Sequence, residues 1–304
     1  DKTAAVWFAT NGGVSRFDGY TWDGFTIENG LPHNVVWSIL EDSTGAIWFG
    51  TAAGVGRFDG QAITSVNQED DLTRIAVRGI VPDKNGMLWF ITQNHGTVRY
   101  NDGDLTSFTL SSSGLAGDRV TSVLKDRNGD LWFGAERGVS RFDGERMNDV
   151  LTGKRQASRR IKTMLEDKAG HLWFGTQGGG VIHYSNGLYQ RMFRQDGLAE
   201  DTIDKLFQDS RDNVWIVTAD GITRYRHVLT TPPVVVTAAT TDRKHNFSQT
   251  VRFPSSQTSL SFEFQGISFK TRPDQVLYLY QLEGYDQQLI STRDRRVTYT
   301  DLPR

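Results

Sequence analysis

Short apolar stretches of about five residues, each carrying a tryptophan, recur along most of the chain and predict β-strands. Successive tryptophans are 41, 41, 43, 41 and 42 residues apart, so the pattern is an internal repeat. No apolar spacing of three and four residues is sustained over ten residues, which argues against a helical solenoid. The six repeats are centred on Trp7, Trp48, Trp89, Trp132, Trp173 and Trp215.

Each repeat predicts four strands. In the second copy, Val36 to Glu41 form an inner strand, Ile47 to Thr51 form the strand with the tryptophan, a third strand ends in RFD, and a variable outer strand follows. Four such strands with short turns need roughly forty residues, which matches the period. Sheets of this kind bury their faces by stacking radially, so the chain is predicted to be all-β, with four-stranded blades of a β-propeller. Kelch repeats are longer, and in WD repeats the tryptophan ends a strand.

Turn residues separate these strands. An aspartate precedes a glycine by three residues at Asp42, Asp83, Asp126 and Asp167, where an Asx-type turn is expected, and Asp212 replaces the glycine in the sixth copy. Asp-Gly or Asn-Gly pairs at 18–19, 59–60, 102–103, 143–144 and 186–187 predict the third turn. One turn carboxylate per blade lacks the convergent oxygens that calcium requires, so these aspartates are predicted to be structural.

The first copy lacks its inner strand. Either the tail of the sixth copy, near His227 to Thr231, bridges the gap, or the six visible blades belong to a larger ring of seven. We favour the larger ring, because a closed propeller needs that strand.

The shared letters resemble a known family. The shared motif resembles the two-component regulator propeller repeat over roughly residues 1 to 226; it reads LWFGT, then GV and RFDG, with an upstream V-x-S-I/V-L-x-D block. This resemblance predicts a propeller domain at residues 1–229. Residues 230–304 are similar to the three-tyrosine (YYY) domain that follows such propellers. Leu289 stands where that family commonly has tryptophan, and the family usually continues beyond Arg304, so the resemblance predicts an incomplete immunoglobulin-like β-sandwich. The matching motif is Tyr278, Tyr280, Leu282, Glu283, Gly284, Tyr285 and Asp286.

This resemblance implies a function. It predicts the extracytoplasmic, periplasmic sensor part of a bacterial inner-membrane receptor that responds to a carbohydrate and works as a homodimer in the full-length receptor. A histidine kinase or diguanylate cyclase outside this chain would supply the output. An assembly or protein-interaction platform is the alternative, since repeat surfaces commonly serve that purpose.

Composition excludes several other classes. Lys plus Arg (34) nearly balances Asp plus Glu (36), so neither nucleic acid nor an anionic membrane surface is an expected partner. Cysteine is absent, which removes disulfides, thiolate metal sites and cysteine nucleophiles. No eighteen-residue apolar run occurs, so no membrane segment is expected. The sequence contains no P-loop, dinucleotide fingerprint or G-x-S-x-G elbow, so we predict neither an enzyme activity nor a cofactor.

The histidines offer the one enzymatic alternative. His33 and His95 lie in loops that a four-stranded meander puts on one face, where a propeller lyase acting on streptogramin-type lactones would use a histidine and a metal. The other four histidines do not occupy a common position of the repeat and are predicted to be solvated or structural; they are His171, His183, His227 and His245. No metal site and no catalytic residue are predicted.

A basic cluster is the candidate ligand site. Alignment on the tryptophan puts Trp37, Arg78, Thr121, Lys162 and Asp204 in one equivalent position near the top of the inner strand. Guanidinium groups match carboxylates or sulfates, and a tryptophan stacks on sugar rings, so the expected ligand is an acidic oligosaccharide. A solvated loop rim is the alternative. The candidate binding residues are Asn34, Trp37, Arg78, Arg119, Arg159, Arg160 and Lys162.

Overall fold

The computed structural model describes residues 1–66, 75–151, 159–185, 187–226, 234–241, 244–246, 259–266, 276, 278–286 and 288–300. The chain divides into two compact units, Asp1–Ser185 with Tyr189–Tyr225 and Arg226–Arg304 with Asn186–Leu188. Regular structure is almost entirely β, with short 3-10 segments at Ile27–Asn29 and Arg194–Asp196. Among the described residues, no helix is long and apolar enough to cross a membrane.

The first unit consists of six antiparallel sheets in chain order, which we call blades 1 to 6. Blades 2 to 5 have four strands each, as the repeat predicts, whereas blade 1 has no inner strand and blade 6 has no outer strand among the described residues. The strands are β1 Val6–Thr10, β2 Gly13–Phe17, β3 Trp22–Phe25; β4 Val36–Glu41, β5 Ile47–Thr51, β6 Gly54–Phe58, β7 Ile63–Ser65; β8 Val77–Pro82, β9 Leu88–Thr92, β10 Thr97–Asn101, β11 Asp104–Phe108; β12 Val120–Lys125, β13 Leu131–Ala135, β14 Val139–Phe142, β15 Met147–Asp149; β16 Ile161–Glu166, β17 Leu172–Thr176, β18 Val181–Ser185, β19 Leu188–Met192; β20 Lys205–Gln208, β21 Asn213–Thr218 and β22 Gly221–Arg226.

The repeated tryptophans form the core between adjacent blades. Trp48 of blade 2 packs with Val77 and Phe90 of blade 3, and Trp132 of blade 4 packs with Ile161 and Phe174 of blade 5. Trp89 and Trp173 are completely or almost completely buried in the same way. Because the tryptophans of blades 1 to 5 each contact the next blade, the blades are held together by the large apolar area that these rings bury.

One hydrogen bond recurs in every blade. The indole nitrogen of the tryptophan donates to the aspartate six residues earlier, over 2.7 Å to Asp42 in blade 2 and 2.9 Å to Asp126 in blade 4. The other carboxylate oxygen accepts two backbone N–H groups of the turn, as Asp83 does from Asn85 and Met87. Asp1 plays this part in the first copy, with its carboxylate 2.7 Å from the indole nitrogen of Trp7. The aspartate therefore joins the turn to the inter-blade core.

The residue three positions after the aspartate is left-handed in all six turns. Glycine occupies it in blades 2 to 5, for example Gly45 at φ 93°. Ala4 in blade 1 and Asp212 in blade 6 adopt the same conformation at φ 65° and 62°. These two side chains carry a strain that glycine avoids.

These turn aspartates should make the protein sensitive to acid. Burial acts to raise the pKa of Asp42, but hydrogen bonds from Thr44 and Trp48 outweigh it and hold the pKa below the ordinary value of 3.8. Hydrogen bonds from Asn213 and Trp215 likewise hold the pKa of Asp209 far below that value. A carboxyl group whose pKa is lower in the folded than in the unfolded state stabilises the fold above the unfolded value and loses this contribution as the pH falls.

We therefore expect the midpoint of urea unfolding, followed by tryptophan fluorescence, to be nearly constant near neutrality and to fall between about pH 5 and pH 2. A midpoint that stays level across this acid range would contradict the role given to the aspartates.

The outward face of blade 1 is uncovered by the described residues. Val6 and Phe8 of β1 are 51% and 42% exposed, whereas the equivalent Ile47 and Phe49 of β5 are buried. Trp22 of β3 is 62% exposed on the same blade. The larger ring stays a prediction, and the bridging tail near His227 lies outside the described residues.

The second unit contains a four-stranded antiparallel sheet, in the order β24-β23-β25-β28, and a two-stranded sheet, β26-β27. In the tyrosine motif, Asp286 accepts hydrogen bonds from the backbone of Leu282 and from the hydroxyl of Tyr299. Burial, followed by this contact, raises the pKa of Tyr299 well above its ordinary value. The sandwich architecture stays a prediction. The strands are β23 Val234–Thr240, β24 Lys244–Asn246, β25 Leu260–Gly266, β26 Tyr278–Tyr280, β27 Ile290–Thr292 and β28 Arg296–Tyr299.

Candidate functional site

A β-bulge near the start of the inner strand positions the predicted ligand residues. In blades 2 to 5 the register between the inner strand and the tryptophan strand shifts around one extra residue. The extra residue is Trp37, Arg78, Thr121 or Lys162, which is the position that the repeat alignment singled out. A bulge leaves its extra residue outside the ladder and changes the direction of its side chain. The equivalence seen in the sequence therefore has a structural cause.

Neighbouring bulge residues contact one another from blade to blade. The guanidinium of Arg78 lies 4.6 Å from the ring centroid of Trp37. The hydroxyl of Thr121 donates to the carbonyl of Ile161, and the ammonium of Lys162 pairs with Asp204. Trp37 is thus stacked on an arginine, and the charge of Lys162 is neutralised, so these two residues are less available to a ligand than the sequence suggested.

A crevice of about 440 Å³ opens between the inner strands of blades 3 and 4. Arg78, Arg119 and Arg160 line it, together with Gln93 and Thr121. Its apolar lining comes from Ile80, Val81, Ile91, Val120 and Val123. The structure therefore brings three of the seven predicted site residues together around one crevice.

The crevice coincides with a reversed side-chain pair in blade 3. In blades 2 and 4 a serine of the inner strand faces a glycine of the tryptophan strand, Ser38 opposite Gly50 and Ser122 opposite Gly134. In blade 3, Gly79 faces Ile91 instead.

The reversal changes how closely the next blade approaches. β4 lies close to β8 and β12 lies close to β16, whereas β8 and β12 approach each other much less. Where glycine is present, the next inner strand packs directly on it; an added methyl group at Gly134 would lie 2.7 Å from Cγ2 of Ile161. The side chain of Ile91 occupies this space at the junction of blades 3 and 4, which separates the two inner strands.

Several polar groups of the crevice lack partners among the described residues. The side chains of Arg78, Arg119 and Arg160 form no ion pair and donate no hydrogen bond to any residue that the structure describes. Three buried atoms at its wall also lack a partner there, namely Oγ of Ser38, Oγ of Ser122 and Nε of Arg160. No aspartate or glutamate is among the described lining residues. Buried polar atoms are usually satisfied, so this group can receive a ligand with acceptor oxygens.

The remaining predicted residues have local roles. Oδ1 of Asn34 accepts from the backbone N–H of Ile27 at 2.8 Å, and the carboxylates of Asp118 and Asp201 make the same bond in later blades. Arg159 lies over the turn glycines Gly178 and Gly179. Neither residue lines the crevice.

The histidines proposed for a lyase are not assembled into a site. Nδ1 of His33 accepts from the backbone N–H of Val35 at 2.9 Å, and this bond holds the ring in its own loop. His95 is exposed. Within the described part of the chain, the one group of three candidate metal ligands is Asp167, His171 and His183, and neither His33 nor His95 belongs to it.

Sequence reasoning missed Ser38, Gln93, Ile91 and Ser122. The signal for Ile91 was present, since the third repeat reads LWFIT where the second, fourth and fifth read IWFGT, LWFGA and LWFGT. The two serines share a position of the repeat, but only the crevice beside them distinguishes them from ordinary strand residues.

Comparison with known families supports the repeat assignment. Residues 30–53, 114–137 and 156–178 match the two component regulator propeller family, and each match covers the inner and tryptophan strands of one blade. The three matched segments lie in blades 2, 4 and 5. No curated protein matches the chain in sequence. Similarity to the YYY domain stays a prediction.

Similar solved structures include a lyase and the extracellular domain of a signalling protein. Virginiamycin B lyase from Staphylococcus aureus, solved as an inactive variant with quinupristin, shares 21% identity at a TM-score of 0.52, over 72% of this chain and 75% of that chain. The extracellular domain of a protein described as a one-component system, from B. thetaiotaomicron, has 18% identity and a TM-score of 0.48 over 100% of this chain and 52% of its own. This chain spans about half the length of that domain. The lyase likeness supports the β-propeller fold and says nothing about activity.

Proposed function

We propose that this chain is the ligand-sensing module of an extracytoplasmic bacterial signalling receptor, and that its regulator propeller binds an acidic saccharide. The observation that carries the proposal is the crevice with three guanidinium groups that have no ion-pair partner among the residues that the structure describes. Some other cations of the propeller are paired within it, as Arg141 is with Asp130 and Arg127 is with Glu166. Three cations that face one crevice and have no ion-pair partner among the described residues favour binding of an anion.

The chemistry of the crevice suggests how a saccharide would be held. Guanidinium groups bind a carboxylate or sulfate through paired N–H donors, and Gln93 and the two serines offer bonds to hydroxyl groups. The apolar wall of Ile80, Val120 and Val123 suits the C–H face of a sugar ring. Binding across β8 and β12 would fix the spacing of blades 3 and 4, which gives a ligand a route to alter the shape of the propeller.

The rest of the receptor follows from the resemblance of the repeats. We infer that the propeller, residues 1–229, is the binding scaffold and that residues 230–304 form a YYY-like sandwich that passes the signal toward the inner membrane within a homodimer. A kinase or cyclase outside this chain would act as the output.

Titration calorimetry with defined oligosaccharides tests the binding proposal. We expect oligogalacturonides or sulfated heparin fragments to bind, and neutral malto-oligosaccharides of the same length to bind at least about tenfold more weakly, because they lack the partner for the arginines. Replacing Arg78 or Arg160 with alanine should weaken acidic binding by about tenfold each. Arg146, an exposed arginine of an outer turn, provides the matched control, and Arg146→Ala should bind like the wild type.

Three outcomes would count against the proposal: equal binding of neutral and acidic sugars, unchanged affinity in both crevice variants, or no binding across the acidic series. In the last case, recovery of a specific protein partner by the isolated module would favour the interaction-platform alternative.

A further inference from the structure

Two histidines of blade 5 occupy the positions that hold an ion pair in blade 4. In each of blades 1 to 4, an arginine of the neighbouring strand lies opposite the tryptophan and stacks on its indole ring. Arg141, for example, lies 5.6 Å from the ring centroid of Trp132. His183 takes this position opposite Trp173 in blade 5. His171 takes the position of Asp130, which in blade 4 forms the ion pair with Arg141. The two changes occur together, at positions that contact each other.

The replacement brings three metal-ligating groups together. Candidate donor atoms of Asp167, His171 and His183 all lie within 4.8 Å of one another. Nδ1 of His171 is 3.5 Å from Oδ2 of Asp167, and the rings of the two histidines are 5.0 Å apart between centroids. Asp167 and His183 are buried, at 6% and 8% exposure, whereas His171 is partly exposed and leaves a path from solvent.

The carboxylate retains an acceptor site on the side of the histidines. Oδ1 of Asp167 accepts from the backbone N–H groups of Ala169 and His171, and Oδ2 accepts from the indole of Trp173 at 2.8 Å. Three of about four lone-pair sites are therefore used, and the fourth lies on Oδ2, the oxygen next to His171. The same hydrogen bonds orient the carboxylate, as outer partners do for metal ligands.

We propose that Asp167, His171 and His183 bind a zinc ion. Two imidazole nitrogens and one carboxylate oxygen form a donor set typical of zinc, and a water molecule would complete four-coordination. Tetrahedral zinc with bonds of about 2.1 Å holds its donors about 3.4 Å apart. Nδ1 of His171 and Oδ2 of Asp167 already lie 3.5 Å apart, and any donor pair near the 4.8 Å limit approaches by about 1.4 Å on binding.

The metal would take over the role of the missing ion pair. In blade 4, Asp130 and Arg141 join the start of β13 to β14, and the guanidinium places positive charge beside the indole. A zinc ion bound in blade 5 joins the equivalent turn to β18 and restores a cation near Trp173. The site is thus a structural clamp, which is independent of the saccharide crevice.

Zinc content and cobalt spectroscopy test this inference. After dialysis against zinc, the wild-type chain should retain one equivalent of metal by mass spectrometry, and cobalt(II) should give the visible absorption of a tetrahedral nitrogen and oxygen site. The double variant His171→Asp/His183→Arg copies the pair of blade 4, so it should fold while binding zinc at least about a hundredfold more weakly and losing the cobalt bands. Zinc should also raise the melting temperature of the wild type but not of the double variant.

His95→Ala is the matched control, because His95 is an exposed histidine of the same propeller, and this variant should bind zinc like the wild type. Equal zinc uptake by the wild type and the double variant would overturn the inference. So would failure of the wild type to retain zinc, or an equal loss of binding in His95→Ala.

Discussion

Replacing Asp83 with alanine should lower the free energy of unfolding by about 3 kcal/mol, because it leaves buried donors without an acceptor. Asp83 is only 3% exposed and Trp89 is fully buried. The carboxylate accepts from the indole of Trp89 at 3.1 Å and from the backbone N–H groups of Asn85 and Met87. Urea unfolding followed by circular dichroism measures the loss.

An exposed turn aspartate provides the control for this variant. Asp59 accepts two backbone N–H groups of the third turn in blade 2, from Gln61 and Ala62, but contacts no tryptophan. Water replaces the lost acceptor there, so Asp59→Ala should have a much smaller effect than Asp83→Ala. Similar losses in the two variants would show that the bond to the tryptophan contributes little.

Replacing Gly134 with alanine should destabilise the protein by about 2 kcal/mol, although the same substitution at Gly79 should be tolerated. At Gly134 the added methyl group would lie 2.4 Å from Oγ of Ser122 in the same blade, and 2.7 Å and 2.9 Å from two carbons of Ile161 in the next blade. At Gly79 the nearest atom, Cγ1 of Ile91, is 3.5 Å away, which is an ordinary contact. Neither glycine has a positive φ, so the comparison contrasts the crowding around the two added methyl groups without a difference in backbone strain.

Melting temperatures of the two alanine variants distinguish crowding at Gly134 from a general requirement for glycine in these strands. A large drop for Gly134→Ala alone supports close packing of blades 4 and 5 and looser packing of blades 3 and 4. Equal drops in both variants would instead indicate a general requirement for glycine in these strands, and would remove the explanation offered for the crevice.

Much of the fold was predictable because its information is local and repeated. A tryptophan about every 42 residues, an aspartate six residues before it and a left-handed residue between them each act within one blade. The strand order within blades, and the packing of the tryptophans between blades, follow from this pattern. The Asp-Gly pairs marked the third turn correctly. Among the four Asp-Gly pairs, all of them described, Asp102–Gly103 alone forms a two-residue loop; at 18–21, 59–62 and 143–146 the aspartate side chain caps a loop of four residues.

The candidate site was predictable only in part. Alignment of the repeats found the bulge position and the arginines, because equivalent residues of a propeller occupy equivalent places. It did not reveal that Lys162 is neutralised by Asp204, since that pair joins residues 42 apart. It also gave no sign that Arg78, Arg119 and Arg160 share one crevice, because a single reversed pair in blade 3 determines the spacing there.

By itself, the sequence determined the blade, its turns and the resemblance of its repeats to the regulator propeller, because these depend on residues close together in the chain. Only the tertiary structure decided which cations stay unpaired and which histidines meet. Both depend on side chains from different strands or blades, whose separation is set by packing. The same two positions hold an ion pair in blade 4 and two histidines in blade 5. The chemical consequence of this difference becomes visible only in the structure, which shows that the two side chains contact each other across the strands.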